Sequence, residues 1–259
     1  MDIGLETYAK LDSPVHRWGV RQKLIGLAAL IFAFAFIQDL RVLPAMIVVT
    51  AIIFAISRLP FPFLVSRLRY PGIFVLALAV VLPLFSGTTI LVALGPLAVR
   101  QEGLLAFLLI FVKFVCILTL SIVLFGTAPF LKTIKATRSL GLSPILADMM
   151  LLSYRYIYEV ANDLTKMQTA MRLRGFRAHG FNKRTLNSLA TLAGSLLVRS
   201  YERSERVYQA MILRGYGRAK ISYEEFKAGT ADIMAMTGVI VVAVGFVLAE
   251  LFLRGVIGG

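Results

Sequence analysis

Two stretches of this chain carry the same side-chain chemistry: "AMRLRGF" at 170–176 and "AMILRGY" at 210–216. Five of the seven positions are identical, Phe176 is exchanged for Tyr216, and the offset is 40 residues. Each copy offers one guanidinium, Arg174 or Arg214. This planar, permanently charged fork suits carboxylates and carbonyls and does not exchange protons near neutral pH. Its chemistry is binding. The glycine that follows, Gly175 or Gly215, reads as the left-handed residue that ends a helix, where a Cβ is unwelcome. The arginine then falls in the last turn, where the helix dipole favours a cation. Ala170 and Met171 share a face with Arg174, as Ala210 and Met211 do with Arg214. Each copy is a knob at a helix end, and two like knobs suit two equivalent acceptors.

Other reactive groups are sparse. Lys113 stands in the middle of the apolar run "GLLAFLLIFVKFVCILTLSIVLF" (103–125). A cation there is costly in hydrocarbon, which makes it a candidate intramembrane polar site. A carboxylate such as Asp39 or Glu250, or a group on another subunit, would pair with it. With one cysteine, Cys116, and two histidines, His16 and His179, no zinc spacing exists and no metal site is expected. His16 is expected to anchor its loop. No glycine-rich loop ending in Lys-Ser/Thr is present, so the chain should not hydrolyse ATP itself. No nucleophile–base pair or carboxylate pair stands out, so no catalytic residue is expected.

The elements that must position these groups are mostly apolar. The 259 residues are 58% hydrophobic and 16% charged, against about 45–50% and about 25% in soluble domains. This composition predicts an all-α, multi-pass membrane protein. The net charge of +14 then reads as basic loops on the cytoplasmic side. The first 23 residues lack the order of a signal peptide. Apolar runs at 24–38 and 42–56, the first half of 73–99, 103–125 and 233–253 predict about five spans, with the N-terminus inside. The prolines of 57–72 are expected to break any long helix, and the second half of 73–99 to form an irregular or re-entrant return.

Three regions follow: 1–125 with membrane-spanning helices, 126–232 cytoplasmic, and 233–259 a last span. Residues 132–227 hold 17 Lys/Arg against 7 Asp/Glu and no run long enough to span. Thr127 reads as the N-cap of a short amphipathic helix over 127–141, and Pro129 as its first turn. Two long amphipathic helices are predicted from about Ile145 to Arg174 and from about Lys183 to Arg214, with Arg155–Glu159 and Glu202–Arg206 pairs. Both heptapeptides close one of these helices.

The tandem arginine–glycine knobs, the basic amphipathic helices and the terminal span resemble the transmembrane T component of energy-coupling-factor transporters, closest to its cobalt-type CbiQ members. "DSPVHRWGVRQK" (12–23), "RQEGLLAF" (100–107) and "GTAPFLKTIKATRSLGLSP" (126–144) read like the corresponding family segments. The family signature is usually Ala-Arg-Gly, whereas Leu173 and Leu213 stand here in place of the alanine. The resemblance implies a non-enzymatic coupling subunit in a bacterial or archaeal cell membrane. Its implied partners are two CbiO-like ATP-binding subunits and a CbiM-like substrate-binding membrane subunit, with a small CbiN-like protein. ATP and magnesium would be bound by the partner ATPases, with no cofactor in this chain. Cobalt would be the cargo, with nickel or a vitamin as the alternatives, and Ala170, Met171, Leu173, Arg174 and Gly175 with Ala210, Met211, Leu213, Arg214 and Gly215 the docking elements. Two other classes are open on residues alone. A self-sufficient channel or secondary transporter should show polar groups or inverted repeats in its spans. A membrane-anchored nucleic-acid binder would use 132–227 as a basic patch, but those bases are mixed with acids on amphipathic faces, so no nucleic acid is expected.

Overall fold

The computed structural model describes residues 13–85, 90–94, 97–176, 182–217 and 229–257. The chain divides into two compact units, residues 1–140 with 226–259, and residues 141–225.

In the first unit α1 (Pro14–Arg17) leads into α2 (Val20–Phe36), a 3-10 turn (Leu40–Val42) and α3 (Leu43–Ser57). Then come α4 (Phe61–Phe85), strands β1 (Ile90–Leu94) and β2 (Leu97–Arg100), α5 (Gln101–Gly126), α6 (Phe130–Ser139) and α9 (Thr230–Ile257). Three segments among the described residues are long and apolar enough to cross a membrane: Leu40–Ser57, Gly103–Gly126 and Thr230–Leu253. At 17 residues α2 spans about 25 Å, short of a hydrocarbon core of about 30 Å, yet it is the hub of the unit. Its Leu27, Leu30 and Phe34, and Ile37 just past its end, are fully buried, and Phe34 meets Phe246 of α9 edge to face at 5.2 Å. Outward-facing apolar side chains such as Phe32, Val48, Val241 and Phe252 are what a bilayer solvates without penalty.

The helical membrane fold is as expected, with local corrections. The chain breaks only at 58–60, where Arg58 is left-handed (φ 53°) and α3 ends; from there α4 runs through Pro62, Pro71 and Pro83 without a break. Pro62 lies in the first turn, where no N–H is needed, and packed membrane helices tolerate interior prolines. The return expected in the second half of 73–99 contains an antiparallel hairpin, with Leu94 opposite Leu97 and Ile90 opposite Arg100. Residues 86–89 and 95–96 of that stretch lie outside the described residues. Thr127 is not an N-cap. It continues α5, its N–H donating to Val123 O at 3.2 Å, and α6 opens instead at Pro129.

Charged side chains fasten both ends of α2. At its N-terminus Asp232 Oδ1 accepts from Gly19 N at 3.1 Å, while Oδ2 accepts from Gly229 N at 3.3 Å. One carboxylate thus holds the first N–H groups of two helices that start side by side, where the helix dipoles favour an anion. At the other end Lys113 Nζ donates to Ala35 O at 2.8 Å and Ile37 O at 2.6 Å. Glu250 accepts from Gln38 N at 2.9 Å and Asp39 N at 3.2 Å. The break between α2 and α3 therefore has its backbone groups satisfied by side chains of α5 and α9, as hydrocarbon requires.

The second unit is α7 (Pro144–Leu173) and α8 (Lys183–Leu213), both polar on one face. They run antiparallel. Arg203 of α8 meets Asp163 of α7 at 2.7 Å and Glu159 at 3.6 Å, and Tyr216, past the end of α8, donates to Asp148 near the start of α7 at 3.1 Å.

Candidate functional site

The repeated heptapeptide encodes one backbone device twice. Gly175 has φ +83° and Gly215 φ +78°, the left-handed conformation expected for both. In the first copy Gly175 N donates to Arg172 O at 3.0 Å and Phe176 N to Met171 O at 3.0 Å. In the second, Gly215 N donates to Ile212 O at 2.9 Å and Tyr216 N to Met211 O at 3.0 Å. These paired bonds are the Schellman ending of a helix. They account for more of the motif than the glycine. The methionine and the aromatic occupy the two positions that such an ending brings into apolar contact, so Met171 and Met211 are half-buried parts of the cap.

What is left to face outward is the Leu-Arg pair. Leu173 is 85% and Leu213 88% exposed, and Arg174 and Arg214 beside them are exposed as well. Leu173 and Leu213 are thus the more exposed apolar side chains of each motif, Met171 and Met211 the less exposed. Ala170 and Ala210 are also exposed one turn back, leaving room for a neighbour to approach.

The two tips are related by the geometry of the pair. Asp163 and Arg203 are 40 residues apart, the same offset as the heptapeptides. In an antiparallel pair, equivalent positions meet only where the approximate two-fold axis that exchanges the helices passes between them. From that point Arg174 and Arg214 each lie 11 residues onward, about 16 Å along the axis, in opposite directions. The unit therefore presents two like tips, one at each end. Opposite charges at the repeat offset were the signal in the sequence for this centre, and the residue reading missed it.

The flanks of the tips differ. Next to the first, a recess of about 450 Å³ is lined by Arg174, Arg199, Asn187, Ser188, Thr191 and Ser195, with Met171 and Leu192 among its apolar walls. Next to the second, a recess of about 630 Å³ is lined mainly by apolar groups, including Ile145, Met149, Leu152, Val207 and Met211.

The other candidates resolve locally. Lys113 pairs with neither Asp39 nor another carboxylate by direct bond, but caps α2 as described. His16 Nδ1 lies 2.7 Å from Ser13 Oγ, the N-cap of α1, in the loop-anchoring role expected of it. His179 falls outside the described residues. The Glu202–Arg206 pair forms at 4.0 Å on an exposed face, whereas Glu159 faces Arg203 across the pair. Among the described residues, no group of three or more His, Cys, Asp or Glu side chains could hold a metal ion.

Comparison with known proteins adds a family. The model of the CbiQ cobalt transport protein family matches residues 12–223. The energy-coupling factor transporter transmembrane protein EcfT of Heliobacterium modesticaldum is 30% identical over 232 residues, 83% of this chain and 84% of that protein. Those of Macrococcus caseolyticus and Lactococcus lactis are 26% and 24% identical, over 90% and 93% of this chain and 92% and 95% of their own lengths.

Proposed function

This chain belongs to the CbiQ family of cobalt transport proteins, a transmembrane component of the energy-coupling-factor kind, and we propose that it couples two ATPase subunits to a substrate-binding membrane subunit. The observation that carries this reading is the duplicated tip. One heptapeptide, one Schellman ending and one exposed Leu-Arg pair recur at both ends of an antiparallel helix pair centred on Arg203–Asp163. Two copies of one ATPase, or two closely related chains, would offer two like grooves. Leucine would fill an apolar pocket and arginine would meet a carboxylate or carbonyls at its edge.

ATP would be hydrolysed by the partners, and this chain would have no catalytic role. Movement of the ATPases would carry α7 and α8 with them. In the first unit, Leu59 and Phe63 approach Gly126, Lys23 reaches Thr127 and Trp18 reaches Asp232. Arg17, Arg21, Arg58, Lys132 and Lys135 therefore gather toward one end of the helices, the end we assign to the cytoplasm by the excess of basic residues. The cobalt reading of the cargo rests on the family description.

The test is a pull-down of the tagged chain from membranes, wild type beside the Arg174→Glu/Arg214→Glu double variant. The wild type should bring down an ATPase. The double variant should reach the membrane equally well and bring down none. Failure of the wild type to retain an ATPase from its native host would sink the coupling role, and transport by the lone chain would establish a self-sufficient transporter instead.

A further inference from the structure

Lys23 is fully buried, although it precedes the apolar run by a single residue and belongs, by sequence, to a basic flank. Its ammonium donates to Thr127 Oγ1 at 2.9 Å, Val15 O at 3.1 Å and Thr127 O at 3.3 Å. Three acceptors satisfy the three donors of an ammonium. Thr127 stands where α5 gives way to α6, the helix after which the chain leaves for the second unit. A few residues away the same segment holds the place of return. The Trp18 indole N–H donates to Asp232 O at 3.0 Å, and Gly19 N donates to Asp232 Oδ1 at 3.1 Å. A Cβ on Gly19 would lie 3.0 Å from Asp232 Oδ2 and 2.5 Å from Gln22 Oε1, so the approach is close on that side too.

One segment, Val15–Lys23, therefore holds the α5–α6 junction, one short helix before the exit to the tip-bearing unit, and the first turn of α9, where the chain returns. Nothing in a membrane fold requires this. The exit and the return could each be anchored by their own helix caps. Tying the α5–α6 junction and the start of α9 to the segment that opens α2 makes that helix, the hub of the membrane unit, an element that a pull through α6 or α9 reaches directly.

We infer that Val15–Lys23 is a transmission clasp, in which Lys23, Trp18 and Asp232 act as positioning residues that convert movement of the tip-bearing unit into movement of α2. The inference rests on the coupling role proposed above; the fluorine arm of its test is independent of the cargo, and the uptake arm rests on the cobalt reading. It requires the clasp to change its surroundings when ATP acts on the assembled complex, and to matter for coupling more than for assembly.

Trp18 is the only tryptophan of the chain and lies inside the clasp, so it reports directly. The chain, labelled with 5-fluorotryptophan and assembled with unlabelled ATPase subunits, should give one fluorine resonance from Trp18. Addition of ATP should move that resonance in the wild type and leave it unmoved in the Arg174→Glu/Arg214→Glu variant. An unchanged resonance in a complex that assembles and hydrolyses ATP overturns the clasp while leaving the docking reading intact. Absence of any complex overturns the docking reading, and the clasp falls with it. A second arm uses Thr127→Val, which removes one acceptor of Lys23 and keeps the shape of the side chain. In vesicles loaded with the full set of partners, and with cobalt(II) as the probe, it should keep ATP hydrolysis within about twofold. Uptake per ATP should fall about tenfold, the size of coupling common between linked sites. Uptake that falls only in step with hydrolysis would contradict the clasp, whatever the effect on folding.

Discussion

The two units use cations at helix ends in opposite ways. In the membrane unit Lys113 is drawn from α5 onto the last carbonyls of α2, and Lys23 onto the carbonyls of Val15 and Thr127. Both are consumed by backbone that has no water to turn to. In the α7–α8 unit, Arg174 and Arg214 also sit at helix ends, but there the glycine ending satisfies the backbone, and the guanidinium stays at the surface with a leucine beside it. A cation that its own fold needs is drawn onto its own backbone, as Lys113 and the buried Lys23 are. A cation displayed beside an exposed leucine, twice, is there for something else.

That contrast can be broken first at Lys113. Lys113→Met keeps the length and removes the charge, leaving the Ala35 and Ile37 carbonyls without a donor. We expect a loss of about 2–5 kcal/mol, seen as a much lower midpoint of thermal unfolding in detergent, with poor accumulation in membranes. A variant as stable as the wild type would show that the cation is not a cap.

Leu173→Ala and Leu213→Ala approach the comparison from the other side. Both leucines are exposed in the isolated chain, so stability should change by less than about 0.5 kcal/mol. Affinity for the ATPase should fall by about 1–2 kcal/mol for each, as for an apolar anchor lost from an interface. Titration of the purified variants against the ATPase reads the second, and the unfolding midpoint reads the first. A loss of stability without a loss of affinity would reverse the assignment.

The smallest effects separate two glycines of the helical pair. Gly175→Ala forces a side chain into φ +83° and should cost about 1 kcal/mol. Gly194→Ala lies within α8 with open space around the position and should gain about 0.5–1 kcal/mol. Thermal unfolding of the two variants measures both signs.

Much of this was legible in the sequence, and the reasons are local. The ends of α7 and α8 were readable to within a residue or two because the glycine and the basic last turn are signals written beside the helix. The apolar runs gave the membrane helices for the same reason. What could not be read depended on contacts across the chain. Lys113 showed that it needed a partner, but not that backbone 76 residues away would supply it. Thr127 looked like a cap because its own neighbours fit one, whereas the tertiary fold gives its hydroxyl to Lys23. Proline in α4 misled because the rule that proline breaks helices is weakest inside packed membrane helices. In the motif, Met171 and Met211 also carry the carbonyls of the Schellman ending, a backbone role that depends on the left-handed glycine and is not visible in face-sharing alone.

The central claim is that the two tips dock as equivalents, and the most direct test is the affinity of the purified chain for its ATPase with each tip reversed separately. We predict that Arg174→Glu and Arg214→Glu each weaken binding by a similar factor, about 30-fold for a loss of about 2 kcal/mol, and that the double variant shows no binding. If one reversal accounts for the whole loss and the other is silent, the tips are not equivalent and the duplicated heptapeptide has to be explained by the helix ending alone.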